Sequence, residues 1–214
     1  MIEVKPHEAS EVKCPQVENF KQIKPEGDIS PKEAKSFWDG ETEYYNSYQT
    51  RLDCTPKLDS ENGHWNGVRG ESKFIPDRNT DAGKAAAEKL EEFGLDGIEY
   101  NNAEPDFSPI SEATVKIENM TEFRYGEGGN FAQANIKCAE KWNNEAKDGR
   151  TDWTARKVED WRIEQNYTWH ERCDTETMDL VPREVHTGVC THLGGVSECK
   201  VRDSIGNIGG GFDE

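Results

Sequence analysis

The sequence predicts an α+β protein: a helical and irregular N-terminal part followed by a C-terminal strand–strand–helix unit. Three observations support this. Apolar residues recur at helical spacing in three separate windows between residues 81 and 165. Short runs of β-formers, bounded by polar turns, lie between and after them. Three of the five histidines, His170, His186 and His192, fall in the last quarter of the 214 residues. Imidazoles concentrated in an otherwise His-poor chain suit a transition-metal site that also handles protons near neutral pH.

Residues 1–62 read as a lead-in rich in Lys, Glu, Pro and Asp, with one helix opened by Ser30-Pro31-Lys32-Glu33 and carrying Phe37 and Trp38. Ser30 caps it and Pro31 takes the first helical position. His64 to Ser72 reads as a Gly- and Asn-rich loop with an aromatic anchor. Asp81 to Phe93 is a helix: Ala85, Ala86, Leu90 and Phe93 form its apolar stripe and Gly94 stops it. Ile98-Glu99-Tyr100 is a short strand that turns through Asn101 to Pro105. Asp106 to Ile110 and Thr114 to Ile117 continue as extended pieces. A helix over Asn130 to Ala146 buries Phe131, Ala134, Cys138, Ala139 and Trp142, and Asp148-Gly149-Arg150 breaks it. Thr154 to Gln165 is the third helix, capped by Thr151 or Thr154 and presenting Val158, Trp161 and Arg162. The resulting organisation is a lead-in (1–62), a mixed accessory region (63–150), a site-bearing module (151–202) and a flexible tail (203–214) that includes the Gly-rich stretch Gly206 to Gly211.

Composition limits the functional classes. Hydrophobic residues make up 33% and charged residues 32%, so the packed part is expected to be smaller than the chain. No apolar run is long enough to cross a membrane, and the segment from Met1 to Pro6 lacks the apolar stretch of a signal peptide. The net charge of -17 argues against broad, sequence-independent attraction to nucleic acid. Residues 148–202 are less acidic, with eight Lys/Arg against eleven Asp/Glu for a net of -3. Arg156, Lys157, Arg162, Arg172, Arg183, Lys200 and Arg202 offer a local basic rim. The six cysteines, at 14, 54, 138, 173, 190 and 199, form no CxxC pair and are expected to be mostly reduced, with Cys173, Cys190 and Cys199 near enough in sequence for a second metal.

In the site segment, Tyr167 to His170 reads as a strand, Asp174 to Thr177 as a polar turn and Met178 to Val181 as the returning strand. Pro182 opens a short helix from Arg183 to about His192, stopped by Gly194-Gly195. The end of the first strand and the following helix can then face one another across one ion. His186 and His192 are six residues apart, about 240° around an unbroken helix. Either the helix breaks near Gly188 and both histidines turn inward, or only one is a ligand. Trp169 reads as a core anchor; His7 and His64 read as solvated.

Trp169-His170-Glu171, a polar loop, Met178-Asp179-Leu180-Val181-Pro182, His186 and His192-Leu193-Gly194-Gly195 together resemble toxin nucleases of the HNH/endonuclease VII (His-Me finger) superfamily, close to the subgroup with a Trp-His-His signature. Arg69 to Ser72, Gly94 to Ile98, Pro105 to Ser108 and Asn130 to Ala134 resemble the accessory region of such bacterial toxin domains, so the likeness spans roughly residues 63–202. Arg69 to Ser72 and Pro105 to Ser108 read equally as structural turns or substrate contacts.

The resemblance implies a ββα-metal nuclease module that hydrolyses phosphodiester bonds, most often in DNA, with one divalent ion (Mg²⁺, Mn²⁺ or Zn²⁺). It also implies the toxic effector of an interbacterial-competition system, delivered into the cytoplasm of a target bacterium and restrained in the producer by a cognate immunity protein. Carried over, the pattern makes His170 a metal ligand beside His186 and His192, and puts Glu171 where the family has a histidine general base. An unperturbed carboxylate near pKa ~4.3 is a weaker base than imidazole, and burial beside Trp169 would raise it. The alternative is that His170 is the base and the metal is held by His186, His192 and Glu171. A rival reading is a non-enzymatic, zinc-stabilised interaction module in which the histidines and Cys173 or Cys190 close a structural site.

Overall fold

The computed structural model describes residues 42–209; the helix expected at Ser30, His7 and Cys14 lie outside them. Two antiparallel sheets organise the chain. The first has the order β1 (Gly63–Trp65), β2 (Lys73–Pro76), β3 (Ile98–Asn101) and β4 (Glu104–Pro105). The second has the order β5 (Ala113–Lys116), β7 (Thr177–Pro182) and β6 (Tyr167–Glu171), which leaves β6 at an edge.

Sequence period two assigns the faces of the second sheet. Ala113, Val115, Tyr167, Trp169, Met178 and Leu180 share one face and join a buried core with Phe131, Ala134, Cys138 and Trp142 of α3 (Asn130–Asn144) and Val158 of α4 (Ala155–Glu164). Trp142 meets Trp153 and Trp161 edge-on at 4.6 and 5.0 Å, which fills the α3–α4 seam with aromatic area. The opposite face carries His170, Asp179 and Val181. Val181 belongs to a second core with Phe74, Ile98 and Tyr100 of the first sheet, Ala86 and Leu90 of α2 (Asp81–Glu92), and Phe107, Ile110, Val185 and Val189.

The Thr154 cap read from sequence opens its helix, and Thr80, not singled out there, opens α2. Thr80 accepts from Gly83 N and Thr154 from Lys157 N, and each tethers one orphan donor of its first turn. A short helix, α1 (Tyr48–Asp53), precedes the first sheet and is clasped by Arg69, whose guanidinium donates to the carbonyls of Leu52, Thr55 and Pro56. The Arg69 string is therefore a structural turn.

Four expectations need correction. The composition from His64 predicts a loop, but Gly63–Trp65 is a strand, held by pairing with residues 74–76. The helix expected over Arg183 to His192 is only α5 (Arg183–His186). The tail expected from 203 is helical as far as Gly209, in α6 (Gly195–Gly209), because Gly194-Gly195 begin that helix instead of stopping one. The boundary drawn at residue 150 separates β5 from a sheet it shares with β6 and β7, and α3 from the α4 it packs against.

Candidate metal centre

His170 is fixed by its strand. Trp169 points to the α3 side and donates its indole N–H to Asn135 Oδ1 at 2.9 Å, so its neighbour turns to the other face, where His170 is 1% exposed. The hairpin returns through β7, and Pro182 opens α5, which ends on His186. Gly188, with φ +88°, reverses the chain at a conformation that a side chain would strain. Val189 and Cys190 then turn into the second core, and Tyr100 Oη donates to Thr191 O at 3.1 Å. His192 thus arrives from a loop. This resolves the 240° problem: the helix ends before the second histidine.

The three imidazoles converge, with one ring nitrogen from each lying within 4.8 Å of the others. Phe107, fully buried, sets its ring 4.8 Å from that of His170 and 5.4 Å from those of His186 and His192. His186 and His192 are partly exposed, so the centre opens on their side. Close approach shapes the far wall. A Cβ on Gly194 would lie 2.8 Å from Glu171 O, and one on Gly195 would lie 2.5 Å from Arg172 O.

Hydrogen bonding fixes the tautomers. A carbonyl only accepts, so the 2.9 Å contact of His192 Nδ1 with Cys190 O places the proton on Nδ1 and leaves Nε2 as a lone pair. His170 Nδ1 meets that lone pair at 3.1 Å and must carry its own proton there. His170 Nε2 is left bare and buried and, among the described residues, has no hydrogen-bond partner. Burial is the main cause that holds His170 and His186 well below the usual histidine pKa, reinforced by the neighbouring imidazoles and Arg124. It lowers His192 to about 4, against the opposing effect of the Cys190 carbonyl. Neutral imidazoles with an unsatisfied buried lone pair fit a single divalent cation.

Glu171 is placed differently. Strand alternation sends it to the face opposite His170, where Oε2 accepts from Arg124 Nε at 2.7 Å and Oε1 from Asn130 Nδ2 at 2.8 Å. Burial raises its pKa, while Arg124 and Asn130 pull it down. Arg124, half-exposed, also helps to depress all three imidazoles. Sequence reading does not single out Arg124 or Asn130 as site residues, and leaves Phe107 within a string read as either a turn or a substrate contact. The signal for Arg124 is weak: one cation in the Gly-rich stretch from residue 122 to 129, with its partner 47 positions away.

The basic rim read from sequence is not continuous. Arg172 is drawn into a buried ion pair with Asp179, Arg162 is buried, and Arg156 and Lys157 pair with Asp160 and Asp152. Cys138, Cys173, Cys190 and Cys199 are free and buried. Burial pushes the Cys190 thiol up to about 12 and Cys199 up to about 11, so neither offers a thiolate at neutral pH. His64 is exposed.

Fold and site together define an α+β protein whose β-hairpin, short following helix and loop bring three imidazoles together at one point. Residues 97–194 match the family model described as the DNase/tRNase domain of colicin-like bacteriocin, a likeness consistent with a nuclease toxin. It runs from the start of β3 to the glycine beyond His192 and so contains the whole centre. A search of curated proteins finds no match. No helix among the described residues is long and apolar enough to cross a membrane.

Proposed function

We propose that the chain is a metal-dependent endonuclease acting on DNA, with His170, His186 and His192 holding one divalent ion: Mg²⁺, Mn²⁺ or Zn²⁺. The observation that carries this reading is the convergence of those imidazoles within 4.8 Å inside the segment that matches the bacteriocin nuclease family. When bound, the ion supplies charge neutralisation at the scissile phosphate and the departing oxygen.

The chain's own groups do the rest. Cys190 O keeps the proton of His192 on Nδ1 and so turns its Nε2 lone pair toward His170, which an ion would compete to engage. Phe107 walls the centre and keeps water from its buried side. Glu171 holds Arg124 at the half-exposed edge of β6, where its guanidinium meets a phosphate oxygen. A phosphate that draws Arg124 away leaves Glu171 Oε2 able to accept the proton of an attacking water, with burial favouring the protonated acid.

In the same reading the domain is the toxic effector of an interbacterial-competition system, acting in the cytoplasm of the target cell and held inactive beforehand by an immunity protein. The family description supports the toxin, and the net charge of -17 suits an inhibitor that approaches through a basic surface. The test is cleavage of plasmid DNA by the purified chain with each metal in turn, with and without chelator, alongside His186→Ala and His192→Ala. Cleavage that needs metal and fails in both variants is expected. A folded chain that cuts DNA with none of the three metals refutes the proposal.

A further inference from the structure

Arg162 lies in the last turn of α4 and is 5% exposed, yet among the described residues no carboxylate pairs with it and its Nε has no hydrogen-bond partner. Its guanidinium stands 5.2 Å from the centre of the Phe131 ring, the same ring that Tyr125 meets edge-on at 5.1 Å. Arg183 brings a second cation to this place. Its backbone N–H donates to Asn166 O at 3.0 Å and its Nε to Tyr167 O at 3.2 Å, just beyond the end of α4. A guanidinium withdrawn from water without a counter-charge is disfavoured, and a second one beside it adds repulsion. Burial is the main cause that weakens the hold of Arg162 on its proton and Arg183 adds to it, while Glu159, one turn back on α4 and not in contact, opposes them only in part. What offsets such a penalty is an anion shared between the two.

We propose that Arg162 and Arg183 form a phosphodiester-binding subsite, flanked by the exposed ring of Tyr125, that grips the nucleic-acid backbone away from the scissile position. The strand's identity rests on the nuclease reading; the anion site itself does not. Arg183 begins the helix whose last residue is His186, so the subsite lies one short helix from the three-histidine centre. Tyr125, 72% exposed and steadied by Phe131, offers a ring face to a base or sugar next to the gripped phosphate. In a chain this acidic, a localised pair of arginines can hold a strand that the rest of the surface repels.

The test measures binding without cleavage. Fluorescence anisotropy of a labelled DNA duplex and its single strand is followed over a range of salt, in chelator, for the wild-type chain, Arg162→Met and Arg183→Met, with thermal melts of each. Methionine keeps a long apolar stem against Phe131 and removes the charge. Expected are an Arg162→Met melting temperature no lower than wild type, weaker binding of every sequence alike, and a plot of log affinity against log salt shallower by about one unit. Unchanged affinity and slope overturn the subsite. If Arg162→Met fails to fold, Arg183→Met decides by the same slope. A poly-glutamate peptide that competes as well as the oligonucleotide also overturns it, in favour of an acidic protein partner. A wild-type chain that binds with an Arg162-dependent slope yet never cleaves removes the nuclease reading and leaves the subsite standing. Metal-dependent cleavage with the same KM in wild type and Arg162→Met does the reverse.

Discussion

Acidification below neutral pH is expected to unfold the metal-free chain through its three converging imidazoles. A free histidine titrates near pH ~6.5, whereas His192 in the fold is lowered to about 4, and His170 and His186 lie well below the ordinary value. The unfolded chain therefore binds more protons than the native one, and stability falls as pH falls. The stabilising contribution is fully present above pH ~6.5 and, for His192, is exhausted once the pH drops through its folded value near 4. Between pH ~7 and ~5 each imidazole that stays neutral in the fold contributes a loss of about 2 kcal/mol, and three together about 6 kcal/mol. That total is a ceiling, because His186 and His192 are partly exposed and solvent screens them. It is still comparable to the whole stability of many domains. The assay is urea unfolding followed by tryptophan fluorescence across this pH range in chelator, with His186→Asn as a control that removes about a third of the drop. A wild-type stability that is level or rising from pH ~7 to ~5 would refute the reasoning.

Other outcomes follow from single contacts. Arg172→Met leaves the Asp179 carboxylate, 0% exposed, with the Thr114 hydroxyl as a donor after loss of bonds at 2.6 and 2.9 Å; a destabilisation of about 3–5 kcal/mol is expected in urea melts. Trp169→Phe removes the indole N–H from Asn135 and strands a buried amide oxygen, which should lower stability by about 1–3 kcal/mol with the secondary structure retained by circular dichroism. A divalent ion that binds only the folded chain should raise its unfolding free energy by about 2.7 kcal/mol at a hundredfold excess over Kd, and His186→Ala should abolish that shift in a thermal melt.

Local chemistry made much of the fold legible. Thr154 as a cap, the apolar stripes of residues 81–93 and 130–146, and the polar turn between two β-former runs act over a few residues, and they produced α2, α3, α4 and the β6–β7 hairpin where expected. The first two strands of the four-stranded sheet were not legible: Gly63–Trp65 has no alternation of its own and is a strand because residues 74–76 complete its hydrogen bonds. Nor was α6, since Gly194-Gly195 followed by Gly206 and Gly209 reads as loop, yet only glycine fits against the carbonyls of Glu171 and Arg172 where that helix begins.

The sequence by itself determined which side chains carry the chemistry: three imidazoles in an acidic, His-poor chain, one of them next to a tryptophan in a strand of period two, so that His170 and Trp169 had to part to opposite faces. Tertiary structure alone decided how they are used. Only the reversal at Gly188 brings His192 back to His170. Only packing against Arg124 and Asn130, more than forty residues upstream, gives Glu171 its partners. Local rules act along a few residues, whereas a cation's donors and a carboxylate's counter-charges are gathered from segments that meet only when the cores close.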